Sequence, residues 1–289
     1  MATNPYKVVS ADAFEAMQLD AGVLLSTFDF TAPYTRPLDA NIIATTTGGI
    51  NPVCEPTYED LGEDVDNVPN NMKEFLKLTG WNCSLSFTSI KFNAANTKWS
   101  LGAADEKTAP TGSPTGTKKI VPRGDIAQER DFRSIYAAFP MADGGIFVVE
   151  LQNAISTGGL NIQSTKNGKG TGQVTLTGYV SIEAQDTMPM AFYHIPAVAP
   201  AIAVTSVAGE SSGKTAITTD YTLGTGETYV YKITDSAIYV LRNEDVSTGW
   251  TAWSGTDEIT ATTGKTITVA VKKSNKAIAA GNDTVTAKT

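Results

Sequence analysis

From residue 83 the chain reads Cys-Ser-Leu-Ser-Phe-Thr-Ser-Ile-Lys-Phe. Cys83, Leu85, Phe87 and Ser89 fall on one side of an extended chain, and Ser84, Ser86, Thr88 and Ile90 on the other. Alternation over this length marks a half-buried strand, because successive side chains of a strand point to opposite faces. The period returns in GQVTLTGYVSIEA, through Val174, Leu176, Gly178, Val180 and Ile182. Such strands need covered faces and paired or blunted edges, which restricts the chain to packed β architectures. Threonine in almost every stretch, with 25 glycines to punctuate turns, suits the same class.

The remaining elements follow from local chemistry. GVLLSTFDF and NIIATTTGGI read as strands, the second broken at Gly48-Gly49, and VCEPTYEDLG as extended chain interrupted by Pro56. A short helix is expected after Ser10, through Phe14 and Met17 to Gly22. Asn71 and Glu74 fit a capping box, predicting a helix through Phe75, Leu76 and Leu78. Asp125 and Gln128 form a similar signature before Phe132, Ile135, Tyr136 and Phe139, which predicts an amphipathic helix ended by Pro140. GGIFVVELQNAIS, LNIQSTKNGK and GQVTLTGYVSIEA supply sheet for that helix to lie on, with KNGKG as a hairpin turn. GAADEKTAPTGSPTGTKKIVPRG reads as a long loop.

A length of 289 residues favours two domains. The texture changes after Pro189, Pro196 and Pro200. Beyond them, short strands at close spacing predict a small all-β sandwich, so the expected division is 1–200 and 201–289. Net charge is −8, of which residues 1–200 carry −7 (14 basic, 21 acidic) and residues 201–289 carry −1 (8 and 9). An acidic surface repels nucleic acid. The opening residues MATNPYKVVSADAF lack the apolar core of a signal peptide, and no run approaches the ~20 apolar residues of a membrane span. Synthesis in the cytosol without membrane insertion is the expectation.

No constellation for catalysis emerges. His194 is the only histidine, and a structural or surface role is expected for it. The acidic run Asp60, Glu63, Asp64, Asp66 fails as an EF-hand, since Val68 and Pro69 stand where a loop starting at Asp64 needs oxygen and glycine. Calcium in another geometry stays open, but no metal or cofactor is expected. GKGTG lacks the context of a phosphate loop. Trp250 and Trp253 are candidates for surface contact with a sugar face, against the alternative of one buried and one edge tryptophan. Cys54 and Cys83 read as buried thiols, with a bridge between them left open.

Several segments resemble the major tail proteins of siphoviruses, the long-tailed, non-contractile bacteriophages: AGVLLSTFD (21–29), TTGGI (46–50), YEDLGEDVDNVPNNMKE (58–74), DFRSIYAAFP (131–140), LQNAISTGGLNIQSTKNGKGTGQVTLTG (151–178) and FYHIP (192–196). The resemblance implies a mainly β, tail-tube β-sandwich or barrel-forming fold with a flanking α-helix, and a C-terminal Ig-like sandwich on the outside. It implies no enzyme activity. Six subunits would form a ring whose inner strands line a continuous β-barrel lumen. Rings would stack into a virion tail tube, and DNA would pass through without specific binding. Tail tip, tape measure and tail terminator proteins would be partners, and the outer domain would offer at most weak contact with host-surface glycans. Glu59, Asp60, Glu63, Asp64, Asp66, Asn67 and Asn70 are the candidate inter-subunit or inter-ring residues. The alternatives are another self-assembling surface or virion protein, or a non-catalytic carbohydrate-binding module.

Overall fold

The alternating run at Cys83 is the second half of a strand spanning Leu76–Ser89, and Cys83, Leu85, Phe87 and Ser89 are its buried positions. The computed structural model describes residues 13–14, 17–32, 34, 36–125 and 127–289. Strands hold 46% of the chain and helices 4%, so the protein is mainly β. Two units divide it. One takes the described residues of 13–29, 36–142 and 146–195, the other those of 30–34, 143–145 and 196–289.

The first unit contains β1 (Val23–Leu25), β2 (Ile42–Ala44), β3 (Thr46–Asp60), β4 (Leu76–Ser89), α1 (Ala94–Ser100), β5 (Ala104–Lys107), β6 (Lys119–Pro122), β7 (Arg133–Pro140), β8 (Ile146–Ser156), β9 (Asn161–Gln163), β10 (Thr171–Gly178) and β11 (Met190–Ile195). Its main sheet runs β2-β1-β7-β8-β10-β4-β3, antiparallel throughout. The sheet forks at β8. β11 lies along its first part, from Ile146 to Leu151, and β10 along its end, from Ala154 to Ser156. Asn153 sits at the fork with φ +46, a left-handed conformation that asparagine tolerates better than most residues. The described strands form no closed barrel. One core cluster gathers Leu24, Leu85, Ile135, Val149, Leu151 and Leu176. A second gathers Leu25, Ala138 and Val148 with the part-buried Phe28, Tyr136 and Tyr193. Here buried Glu150 accepts hydrogen bonds from the hydroxyls of Tyr136 (3.1 Å) and Tyr193 (2.7 Å).

Two expected helices are strands instead. Arg133–Pro140 is β7, paired on both sides by β1 and β8. Ile135 and Phe139 lie four apart, as do Phe132 and Tyr136. Four is an even number, so the spacing fits a strand as well as a helix. Ile135, Ala137 and Phe139 join one core, while Tyr136 and Ala138 join the other. Burial on both faces hides the alternation. In place of the expected Asp125–Gln128 cap there is a single 3-10 turn, Glu129–Asp131, capped at Gln128, where the Asp131 carboxylate accepts from the Gln128 backbone N–H at 2.8 Å. Leu76 and Leu78 belong to β4, and Asn71 adopts φ +63 in the turn before it instead of capping a helix. The flanking helix is α1, where the Asn93 side chain accepts from the Asn96 N–H at 2.8 Å. The 102–124 stretch expected as loop contains the β5–β6 hairpin. The helix expected after Ser10 falls largely outside the described residues. At its far end, Gly22 is held at φ +72 against the Phe139 ring.

The second unit is a sandwich of β12 (Val204–Ala208), β13 (Lys214–Thr219), β14 (Glu227–Thr234), β15 (Thr251–Trp253), β16 (Ile259–Thr260), β17 (Thr266–Lys273) and β18 (Lys276–Thr284). One sheet is β12-β13-β16 and the other β15-β14-β17-β18. These are the A-B-E and C′-C-F-G pairings of an Ig-like topology. Ile217, Tyr229, Trp253, Ile259, Ile267 and Val269 fill the space between the sheets.

Candidate functional site: an apolar arm with an acidic tip

β4 pairs with β3 along its whole length, from Leu76 opposite Asp60 to Ser89 opposite Thr46. β10 joins it only from Ser84 to Ser89. Among the described residues, the hairpin beyond Cys83 therefore continues as a two-stranded arm of about 20 Å. Alternation carries the core face of the hairpin out along this arm. Cys54 opposite Cys83 is followed by Pro56 opposite Trp81, Tyr58 opposite Leu78 and Asp60 opposite Leu76. Thr79 is the extra residue of a bulge, and its hydroxyl donates to the Thr57 carbonyl at 3.0 Å. That bulge keeps Leu78 on the face of Trp81. The result is an apolar ribbon that stays part-exposed: Trp81 is 39% exposed, Leu78 43%, Leu76 48% and Tyr58 52%. A groove of about 500 Å³ at its root is lined by Thr57, Gly80, Trp81, Gly178, Tyr179 and Val180 among others.

The tip is folded. Asp60 holds it, with Oδ1 accepting from the Gly62 N–H at 2.9 Å and Oδ2 from the Asn71 N–H at 3.0 Å. Leu61 N–H bonds to the Phe75 carbonyl at 3.0 Å, and Gly62 is packed against the Val68 and Phe75 side chains. Asp60 thus spends its carboxylate inside the loop and is not a free contact charge. Glu59, Glu63, Asp64, Asp66, Asn67 and Asn70 are exposed around it, Asn67 at φ +66. Residues 55–82 hold seven acids and two lysines, net −5. This hairpin carries most of the −7 of residues 1–200. No group of three or more His, Cys, Asp or Glu is placed to hold a metal ion among the described residues.

The acidic run was legible in the sequence, and the apolar ribbon was missed. The signal was present in Tyr58, Leu76, Leu78 and Trp81, but reading Leu76 and Leu78 as helix hid their register with Tyr58.

The other candidates have ordinary settings. Trp253 is not a surface residue. It packs in the sandwich core against Tyr229, with ring centroids 5.2 Å apart, and its Nε1–H donates to the Asp257 carbonyl at 2.9 Å. Trp250 is part-exposed, with Lys232 Nζ 6.0 Å from its ring centroid. His194 is exposed on β11 and lies 4.8 Å from the Phe147 ring. Cys54 and Cys83 are free thiols whose sulfurs stand 3.5 Å apart. Burial, then the hydrogen bond and charge of Cys54, pushes the Cys83 thiol up to about 12. Gly48 and Gly49, at φ +78 and +88, form a bulge between the Thr47–Thr88 and Ile50–Phe87 pairs.

No protein-family model matches this chain, and no curated protein matches it. Among solved structures, domains 7, 8 and 9 of the S-layer protein SbsC are similar over 39% of this chain and 36% of that one, at 23% identity and a TM-score of 0.29. A likeness at that score carries no argument about fold or function.

Proposed function

We propose that the chain is a structural subunit that polymerises through its arm, and that its assembled form is the siphovirus-type tail tube, stacked hexameric rings enclosing a conduit for DNA. The observation that carries the self-assembly reading is the apolar ribbon on the arm. A two-stranded hairpin is at best marginal by itself, and large apolar side chains gathered on one exposed face mark a contact surface. Burying the exposed halves of Tyr58, Leu76, Leu78 and Trp81 is worth on the order of 1 kcal/mol each. The acidic tip suits a site of orientation, since charges at the rim of a contact select partner and register. The tail-tube form of the assembly rests on the sequence resemblance, whose segments fall in β1, the arm, β7, β8, β10 and β11.

Negative-stain electron microscopy of the purified chain across concentration tests the reading. Hollow tubes or six-fold rings are expected. Flat sheets or solid filaments would replace the tail tube with another self-assembling surface or virion protein. Glycan binding that depends on Trp250, without assembly, would favour the carbohydrate-binding alternative.

A further inference from the structure

The arm has a counterpart at the opposite end of the same sheet. β4 runs from the arm at Leu76 to Ser89, roughly 40 Å away at the rise of a strand. At the Ser89 end, Gly172 of β10 stands opposite Ser89, and β9 pairs with the start of β10, so the β9–β10 turn projects away from the arm. That turn carries Lys166 and Lys169, and residues 151–182 contain no acid. Lys169 Nζ reaches the Thr47 hydroxyl at 3.3 Å, which fixes the turn beside the start of β3. Exposed Lys91 lies two residues past the end of β4 and is bonded to Ser89 through backbone and hydroxyl. Apolar surface accompanies these lysines: Phe92 lies over Gly172, and both Phe92 and Ile162 are exposed. One end of the sheet is therefore apolar and acidic, the other apolar and basic.

We propose that the arm of one copy docks on the Lys91–Lys166–Lys169 end of a second copy, joining subunits head to tail along the strand axis. This rests on the self-assembly reading and names the surface that receives the arm. The occupant is another copy because the two ends of one chain are complementary in charge, each pairs charge with exposed apolar side chains, and they face opposite ways. A head-to-tail contact of unlike surfaces closes into a ring where the rotation between copies closes and extends where it does not; directed along the strand axis, this one extends. Opposite charge sets orientation and rate of encounter, and the ribbon supplies the buried area.

Two variants test it, each examined alone and mixed in the full chain: Asp64→Lys with Asp66→Lys, and Lys166→Glu with Lys169→Glu. All four positions are exposed, and circular dichroism should show both variants folded. Each alone is expected to raise the critical concentration for assembly, read by sedimentation, by about tenfold or more. The equimolar mixture should return to near the parent value, since each variant then offers the other a matched surface. Leu78→Ser should assemble poorly even with the charges intact. If the lysine variant assembles like the parent while the aspartate variant fails, the arm docks elsewhere, and this inference falls while self-assembly stands. Failure of the mixture to recover overturns it equally. A parent chain that stays monomeric at every concentration overturns the self-assembly reading itself.

Discussion

Asp60→Asn isolates what holds the tip. The carboxylate accepts two backbone N–H groups, from Gly62 at 2.9 Å and Asn71 at 3.0 Å. An asparagine side chain of the same shape has one acceptor oxygen and one NH2 donor, so one of the two N–H groups must face another donor. Hydrogen bonds to a charged group contribute about 1.5–3 kcal/mol. Asp60 is only half-buried, so the low end applies, about 1.5 kcal/mol. Opening of residues 61–75 leaves the β4, β7, β8 and β10 core in place, so the loss is local. Hydrogen exchange at the Gly62 and Asn71 amides should quicken about tenfold, following the ratio of tenfold per 1.4 kcal/mol, with Tm unchanged. Glu63→Gln removes the same unit of charge from an exposed side chain and should leave both amides at the parent rate. Equal exchange in Asp60→Asn and the parent would refute the assignment, and equal acceleration by Glu63→Gln would show that charge, not the two bonds, is at work.

Leu85 is fully buried in the main core, and Leu85→Ala should cost about 2–5 kcal/mol in urea denaturation. Tyr136→Phe tests the Glu150 cluster at high pH. Burial foremost, and then the charge and hydrogen bond of Glu150, push the Tyr136 hydroxyl up to about 12. A raised phenol favours the folded state's neutral form, so stability is unaffected below the usual tyrosine value near 10 and falls between about 10 and 12, by up to about 1.4 kcal/mol per pH unit. The phenylalanine variant should lose that part of the alkaline decline, while being about 1 kcal/mol weaker at neutral pH for lack of the bond to Glu150. Trp253→Phe, which empties space in the sandwich core and strands the Asp257 carbonyl, should lower Tm by several degrees, and Trp250→Phe should change it little.

Strand character was legible wherever one face meets the core and the other water. Cys83 to Ser89 and Val174 to Leu176 are examples, and the small sandwich with its short strands was legible as well. It was illegible where both faces are buried, as in β7, or where neither is covered, as in the arm. In both cases polarity no longer alternates with direction, and the period that sequence reading depends on disappears. Prolines misled in another way. Pro56 suggested an interrupted segment, yet it lies within β3, as does Pro52, because an edge strand can do without a donor that would face outward. The acidic residues were found as a group, but their division of labour was not. Asp60 differs from Asp64 and Asp66 only through contacts with Gly62 and Asn71, and the second of these lies eleven positions away.

Those two prolines have a further effect. β3 is the last strand of its sheet and fifteen residues long, a length at which an unpaired edge invites copies to add strand by strand into insoluble fibre. Missing N–H groups at Pro52 and Pro56, with the double glycine bulge at Gly48-Gly49, spoil that edge as a template. What remains sticky is the face of the ribbon, not its margin. Under the proposed self-assembly, the route to fibre would be closed at this edge while the ribbon face proposed for ordered growth is left intact.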